Sequence, residues 1–361
     1  MTDFTIPPQD TPDVWERIAA AHRPVVLYGM GNGADKLAER LAALDVPVAA
    51  VMASDGFVRG QSFRGFRVRT WEDVRQTFPS PWILVAFGTR LPEVMRDLLT
   101  LAEENTVRLP DMPVAGETFF DGAFYRQHYH EFLQAGESLA DETSRALFSS
   151  VLQYKLTGEL SPLTQNVTSE ADICALLPTE RIRRAMDGGA YNGDTVRQMM
   201  AYFPALSEVL AVEPDEKTFR RLSAFASACP IRVIPVAAAL GAQPGRAVLH
   251  ASGNRNSALA GASYRHTDRE VLVCTVDELC QEFSPDYIKL DVEGAESETL
   301  IGAKETIRRD RPILRIACYH RPEDMFRLPL FLRESYPFYR LYFRRTPCFP
   351  AWEADFIAIP T

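Results

Sequence analysis

Two groups of residues in the second half of this 361-residue chain have the types and spacing to do chemistry. The first is Asp187-Gly-Gly189-Ala190-Tyr191-Asn192-Gly193-Asp194-Thr195, with Glu213-Pro214 further on. The second is acidic, Asp291, Glu293 and Glu296, and is followed by Tyr319-His320. A glycine-rich turn between an apolar strand and a helix lets backbone amides approach a ligand, and the helix N-terminus attracts a carboxylate or phosphate. Alone such a turn says little. Glu213 adds weight, because it stands at the carboxyl end of the next strand, EVLAVEP, where an acid accepts hydrogen bonds from both ribose hydroxyls.

The pair points to an adenosyl ligand, either S-adenosylmethionine or a nicotinamide cofactor. Pro214 directly after the acid, the absence of G-x-G-x-x-G after Asp187 and an antiparallel pair expected at the end of the chain favour S-adenosylmethionine, with S-adenosylhomocysteine as product. Asp187 and Asp194 suit the positive end of that ligand, although Asp194 can equally be a helix cap.

The acidic group admits three readings: carboxylates that hold substrate hydroxyls, a divalent metal site of hard oxygen ligands, or acids favoured at the N-terminus of the helix SETLIGAKETI. The first is preferred and no metal is expected. His320 ends the fifth strand of this half and is expected to point to the ligand edge, where a neutral imidazole would take a hydroxyl proton. A strand-end histidine bonded to backbone is the alternative, and Tyr319, Asp324 and Asp291 share the region. His320 and Asp291 are thus the catalytic candidates, and Glu293, Glu296 and Tyr319 the substrate-binding ones. His22, His128, His130, His250 and His266 have no convergent carboxylate or cysteine and receive no role.

These groups need a scaffold. Strands are expected at RAMDGG, EVLAVEP, IRVIPV, PDYIKLD and PILRIACYH, with helical segments after the first two, which is β-α-β repetition and hence a parallel sheet. Two further extended runs, GRAVLHAS and REVLVCTVDEL, lie between the third and fourth, and FYRLYFRR and ADFIAIP read as a closing antiparallel pair. The first part, residues 1–115, alternates similarly through RPVVLYG, VPVAAVMASD and WILVAFGTR. Residues 116–176 read as a helical connector. The expected class is α/β, two tandem Rossmann-like domains.

At this point residues 177–361 resemble the FkbM family of methyltransferases. MDGGAYNGDT, VLAVEPDEKTFRRL, PVAAALG, TVDEL, YIKLDVEGAESETLIGA and PILRIACYHRPEDM carry the resemblance. It implies a seven-stranded class I methyltransferase sheet with a terminal antiparallel hairpin. It also implies that residues 187–195 hold the methionine moiety, Glu213 with Pro214 the ribose, and the segment with Ala237 and Ala238 the adenine. O-methylation of a hydroxyl on a sugar, glycan or secondary-metabolite acceptor is the expected reaction.

In the first part, Gly29-Met-Gly31-Asn-Gly33-Ala34 satisfies G-x-G-x-x-A, with Asp55 after the next apolar run. It resembles small nucleotide-binding modules fused to sugar-modifying enzymes. Either it binds a nucleotide or nucleotide-sugar, or it serves substrate presentation or homodimer contacts. The competing classes for the whole chain are an NAD-dependent oxidoreductase and a sugar-nucleotide-binding scaffold with an inactive methyltransferase-like half.

Composition sets the outer bounds. A net charge of -9 gives no basic field for nucleic acid. Apolar and charged fractions of 46% and 24% are those of a soluble protein, and no apolar run is long enough for a membrane span. An N-terminus with acids and two prolines is unlike a secretory signal, so the cytoplasm is the expected location. Six cysteines without a C-x-x-C pair fit reduced, packed thiols.

Overall fold

The computed structural model describes residues 4–249 and 269–361. His250, His266 and the end of the GRAVLHAS run lie outside them. The first sheet holds β1 (Val25–Tyr28), β2 (Val48–Met52), β3 (Ser62–Phe63), β4 (Phe66–Arg69), β5 (Trp82–Val85) and β6 (Thr106–Arg108), in the order β3-β4-β2-β1-β5-β6. It is parallel apart from the β3–β4 pair. The three apolar runs read from sequence are its centre, β2, β1 and β5. The three outer strands, β3, β4 and β6, lack a long apolar run and carry no comparable signal.

The second sheet is built from β7 (Arg184–Gly188), β8 (Glu208–Val212) and β9 (Arg232–Val236), and from four later strands. Between the two sets, β10 (Ala239–Leu240), β11 (Gly245–Leu249) and β12 (Arg269–Cys274) form a small separate sheet. Then come β13 (Tyr287–Leu290), β14 (Ile313–Ala317), β15 (Tyr339–Arg345) and β16 (Ala354–Pro360), giving the order β15-β16-β14-β13-β7-β8-β9. β16 pairs antiparallel with both β14 and β15. β7, β13 and β14 read as near-continuous apolar text because helices cover both faces of a parallel sheet.

Two readings of the sequence are corrected here. REVLVCTVDEL is not extended throughout: Thr275 caps a short helix, Val276–Leu279, by accepting from Glu278 N. Its Asp277 and Glu278 fill the first turn of that helix, where acids are favoured. SETLIGAKETI is two helices, Glu296–Ile301 and Lys304–Asp310, with the break at Gly302 and Ala303.

Residues 116–176 do more than connect. Helix Glu142–Thr157 packs on β15, with Phe148 edge-on to Phe343 at 5.5 Å, and helix Tyr129–Glu137 packs on helix Asp324–Ser335 through Phe132 and Phe326 at 5.1 Å. One buried cluster therefore runs from Val26 and Ile83 of the first sheet through Phe120, Phe132 and Phe148 to Leu314 and Phe356 of the second. Asp141 ties the layer down, accepting from Ser144 N at 2.7 Å and from the buried Arg344 Nη2 at 2.6 Å. Asp141→Ala removes a cap and leaves a buried guanidinium without its carboxylate, so stability should fall by about 1–3 kcal/mol in a denaturant titration. No helix among the described residues is long and apolar enough to cross a membrane.

Candidate active site

The carboxyl ends of β7, β8 and β13 meet at the point where the strand order reverses, the place where ligands bind in open α/β sheets. After β7 the chain turns through Gly189, at φ +83°, and Tyr191, at φ +46°, before helix Asp194–Tyr202 begins. Gly189 is forced. A Cβ there would stand 1.9 Å from the Asp291 carbonyl oxygen, so only glycine lets the two strand ends pass. The Gly189 and Ala190 amides both donate to Val212 O at 3.0 Å. This holds the turn against the end of β8.

Glu213 closes that end. Its two oxygens accept from Tyr191 N at 3.0 Å and Asp215 N at 2.8 Å, one bond each, which leaves lone pairs on both for a ligand. Burial pushes its carboxyl up to about 7, against the pull of those two backbone bonds. Asp187 is fully buried beneath the turn, and neither of its oxygens has a hydrogen-bond partner. Burial raises it to about 6 although Lys289 opposes the shift. Asn192 Oδ1 is likewise buried without a partner. Carboxylates costly to ionise, with open acceptor capacity, suit a ligand bearing positive charge.

A cavity of about 880 Å³ opens over this edge. Gly189, Tyr191, Asp194, Thr195, Glu213, Pro214 and Ala238 line it together with Asp291, Glu293 and Tyr319. Of the remaining expected ligand contacts, Asp187, Ala190, Asn192 and Gly193 do not line the cavity, nor does the exposed Ala237. Glu296 is 0% exposed and does not line it either. A direct bond from Glu296 to a substrate hydroxyl is therefore corrected. Its Oε1 instead accepts from Val292 N at 2.9 Å, bracing the turn that carries Glu293.

The expectation for His320 also needs correction. Tyr319 and His320 follow β14, and their side chains part: Tyr319 faces the cavity and donates to Asp291 Oδ1 at 3.0 Å, whereas His320 turns behind Asp291 and is 1% exposed. Burial would lower its pKa, but the charges of Glu296, Asp291 and Glu293 overcome this and raise it to about 10. A neutral imidazole in contact with substrate is not what the arrangement provides. Asp291, in turn, would be raised by burial, yet Lys289 at 3.2 Å and the charge of His320 hold it to about 2. Burial raises Glu293 to about 7, partly countered by His320.

Several lining residues were not anticipated. Lys289 and Arg315 sit inside apolar strands, and Arg315 pairs with Asp355 at 2.7 Å and with Glu170. The far wall joins the two sheets: Gly88, Thr89 and Arg90 after β5 meet the loop carrying Trp352 and Glu353. Thr89 and Phe349 exchange backbone hydrogen bonds of 2.6 and 3.0 Å, and Arg90 pairs with Glu353. The Gly29–Ala34 turn and Asp55 do not line this cavity.

With this geometry in view, residues 187–345 match the methyltransferase FkbM domain. The matched segment makes up somewhat less than half of the chain. The chain's fold is shared over nearly its full length by the methyltransferase FkbM from Methylobacillus flagellatus KT. The two are 20% identical over 98% of this chain and 94% of the other, with a TM-score of 0.71. Two looser likenesses are too distant to bear on function. Fibrillarin from Aeropyrum pernix is 14% identical over 52% of this chain and 72% of its own, at a TM-score of 0.35. Precorrin-6y C5,15-methyltransferase from Geobacter metallireducens is 10% identical over 55% and 92%, at 0.34. No curated protein matches the chain by sequence.

Proposed function

We propose that this protein transfers a methyl group from S-adenosylmethionine to a hydroxyl oxygen of a small-molecule acceptor, a sugar or glycan being the favoured class. One observation supports this reading: a single cavity is lined both by the glycine-rich turn with Glu213 and by the carboxylates of Asp291 and Glu293 with the Tyr319 hydroxyl.

S-adenosylmethionine when bound supplies an electrophilic methyl, whose bond pair stays with sulfur as the acceptor oxygen bonds to carbon and S-adenosylhomocysteine leaves. The chain's residues do the rest. Glu213 would accept from the ribose hydroxyls, the first amides of helix Asp194–Tyr202 would hold the amino-acid carboxylate, and Asp194 would hold the ammonium. Asp291 would orient the acceptor hydroxyl and Glu293 would receive its proton, while Tyr319 and Lys289 fix Asp291 in place. Alignment is worth about 7–11 kcal/mol of barrier, against about 100 to 10,000-fold for a general base. The wall joining Thr89 and Arg90 to Trp352 and Glu353 gives the first sheet a part in shaping the acceptor side, which fits a role in substrate presentation.

The test is an acceptor screen of free sugars, sugar nucleotides and oligosaccharides, with release of S-adenosylhomocysteine as readout and a base-stable methyl ether as the expected product. Calorimetry with S-adenosylhomocysteine and NAD runs beside it. Binding of NAD with no affinity for S-adenosylhomocysteine would overturn the reading in favour of an oxidoreductase.

A further inference from the structure

His320 stands in a cluster that hydrogen bonding leaves unsatisfied. Its Nδ1 is 2.9 Å from Glu296 Oε1, and its Nε2 is 3.5 Å from both Asp291 Oδ1 and Glu293 Oε2. Nδ1 thus has Glu296 beside it, whereas among the described residues Nε2 and Glu296 Oε2 have no hydrogen-bond partner, although both side chains are almost wholly buried. Buried polar atoms of this kind call for a partner. An N–H···O bond is normally near 2.9 Å, so the two separations of 3.5 Å at Nε2 are long for one. They are close to what a shared ion produces: two ligands each about 2.1 Å from one centre lie about 3.0–3.4 Å apart at octahedral or tetrahedral angles.

The charges agree. Asp291, Glu293, Glu296 and Asp324 surround the ring, with Lys289 as the other cation acting on Asp291. Asp291, Glu296 and His320 each bring a ligand atom within 4.8 Å of the others. Of these, Glu296 faces Nδ1, the edge of the ring away from the cavity wall. That is the place of a carboxylate that orients a metal-bound histidine rather than of a ligand.

We propose that His320 Nε2, Asp291 and Glu293 bind one divalent cation, with Glu296 orienting the imidazole from behind. Mixed nitrogen and carboxylate donors suit a first-row ion such as Mn²⁺ or Zn²⁺. Asp291 and Glu293 line the cavity, so the ion's open positions face the acceptor side, where it would orient a hydroxyl and ease loss of its proton. The site departs from the absence of metal expected from sequence. Its catalytic consequence rests on the methyltransferase reading, but the binding does not.

The test uses the full chain, stripped with chelator and saturated with S-adenosylhomocysteine, titrated with MnCl₂ and read by electron paramagnetic resonance. One Mn²⁺ per chain is expected. His320→Ala and Glu293→Gln should each weaken it by at least 100-fold, and Glu296→Gln by about 10–100-fold, as for partners that orient a ligand. Affinity for S-adenosylhomocysteine unchanged in the three variants shows that they are folded. No binding below about 1 mM, the weak end of protein ion sites, or binding that His320→Ala leaves intact, overturns the proposal. If Mn²⁺ binds as expected but S-adenosylhomocysteine does not, the metal site stands and the methyltransferase reading falls.

Discussion

Glu213→Ala is expected to weaken S-adenosylhomocysteine binding by at least about 100-fold in a calorimetric titration. In the proposed role the side chain would offer an acceptor to each ribose hydroxyl, and hydrogen bonds to a charged group contribute about 1.5–3 kcal/mol each, with tenfold in affinity per 1.4 kcal/mol. It also holds the Tyr191 and Asp215 amides, so alanine loosens the turn as well as removing the contact. The pH dependence separates these effects. Burial raises the Glu213 carboxyl to about 7, so in the free protein it is protonated below that pH and ionised above it. A ligand that prefers the carboxylate must displace the proton, and affinity should fall about tenfold from pH 8 to pH 6. Glu213→Gln keeps an acceptor but has nothing to titrate, so its weaker affinity should not follow that slope. A wild-type affinity that is level across this range, or that Glu213→Ala leaves unchanged, would remove Glu213 from the ribose.

The reason Glu213 and the turn were readable in advance is that their signal is local. Strand, glycine-rich turn and helix are consecutive text, and the next strand end is found by the same alternation. The acceptor side draws on distant segments and was read less well. Tyr319 and His320 are neighbours, and side chains along an extended chain point to opposite faces, so one strand end cannot deliver both to a ligand. Sequence periodicity does not say which of the two faces the cavity. Lys289 and Arg315 had a signal that could have been used, since a lysine in YIKL and an arginine in ILRIA are charges inside strands that otherwise read as buried. Such residues need partners, and each finds carboxylates beside the cavity. The wall made by Thr89, Arg90, Trp352 and Glu353 had none, because its halves come from the two ends of the chain and meet only when both sheets share a core.

Gly189→Ala should be the most damaging glycine-to-alanine substitution among the described residues, and Gly31→Ala, in the other glycine-rich turn, should be harmless. At Gly189 the backbone is at φ +83° and the added methyl would overlap the carbonyl of Asp291 at 1.9 Å, a backbone atom that cannot swing aside. Left-handed strain and overpacking each cost on the order of 1–3 kcal/mol, so a loss of about 2–6 kcal/mol is expected in chemical denaturation. The overlap has a direction. It pushes the end of β13 away from β7, where Asp291 N donates to Gly188 O at 3.0 Å, and carries Asp291 with it. Methyl transfer should therefore fall further than the loss of S-adenosylhomocysteine affinity accounts for, because the acceptor wall moves relative to the donor wall. At Gly31 an added Cβ meets nothing within 4 Å and φ is negative, so stability and activity should stay at wild-type values. Equal damage at the two glycines would mean that the first turn also carries a ligand, whereas a harmless Gly189→Ala would mean that the contact between β7 and β13 does not set the position of Asp291.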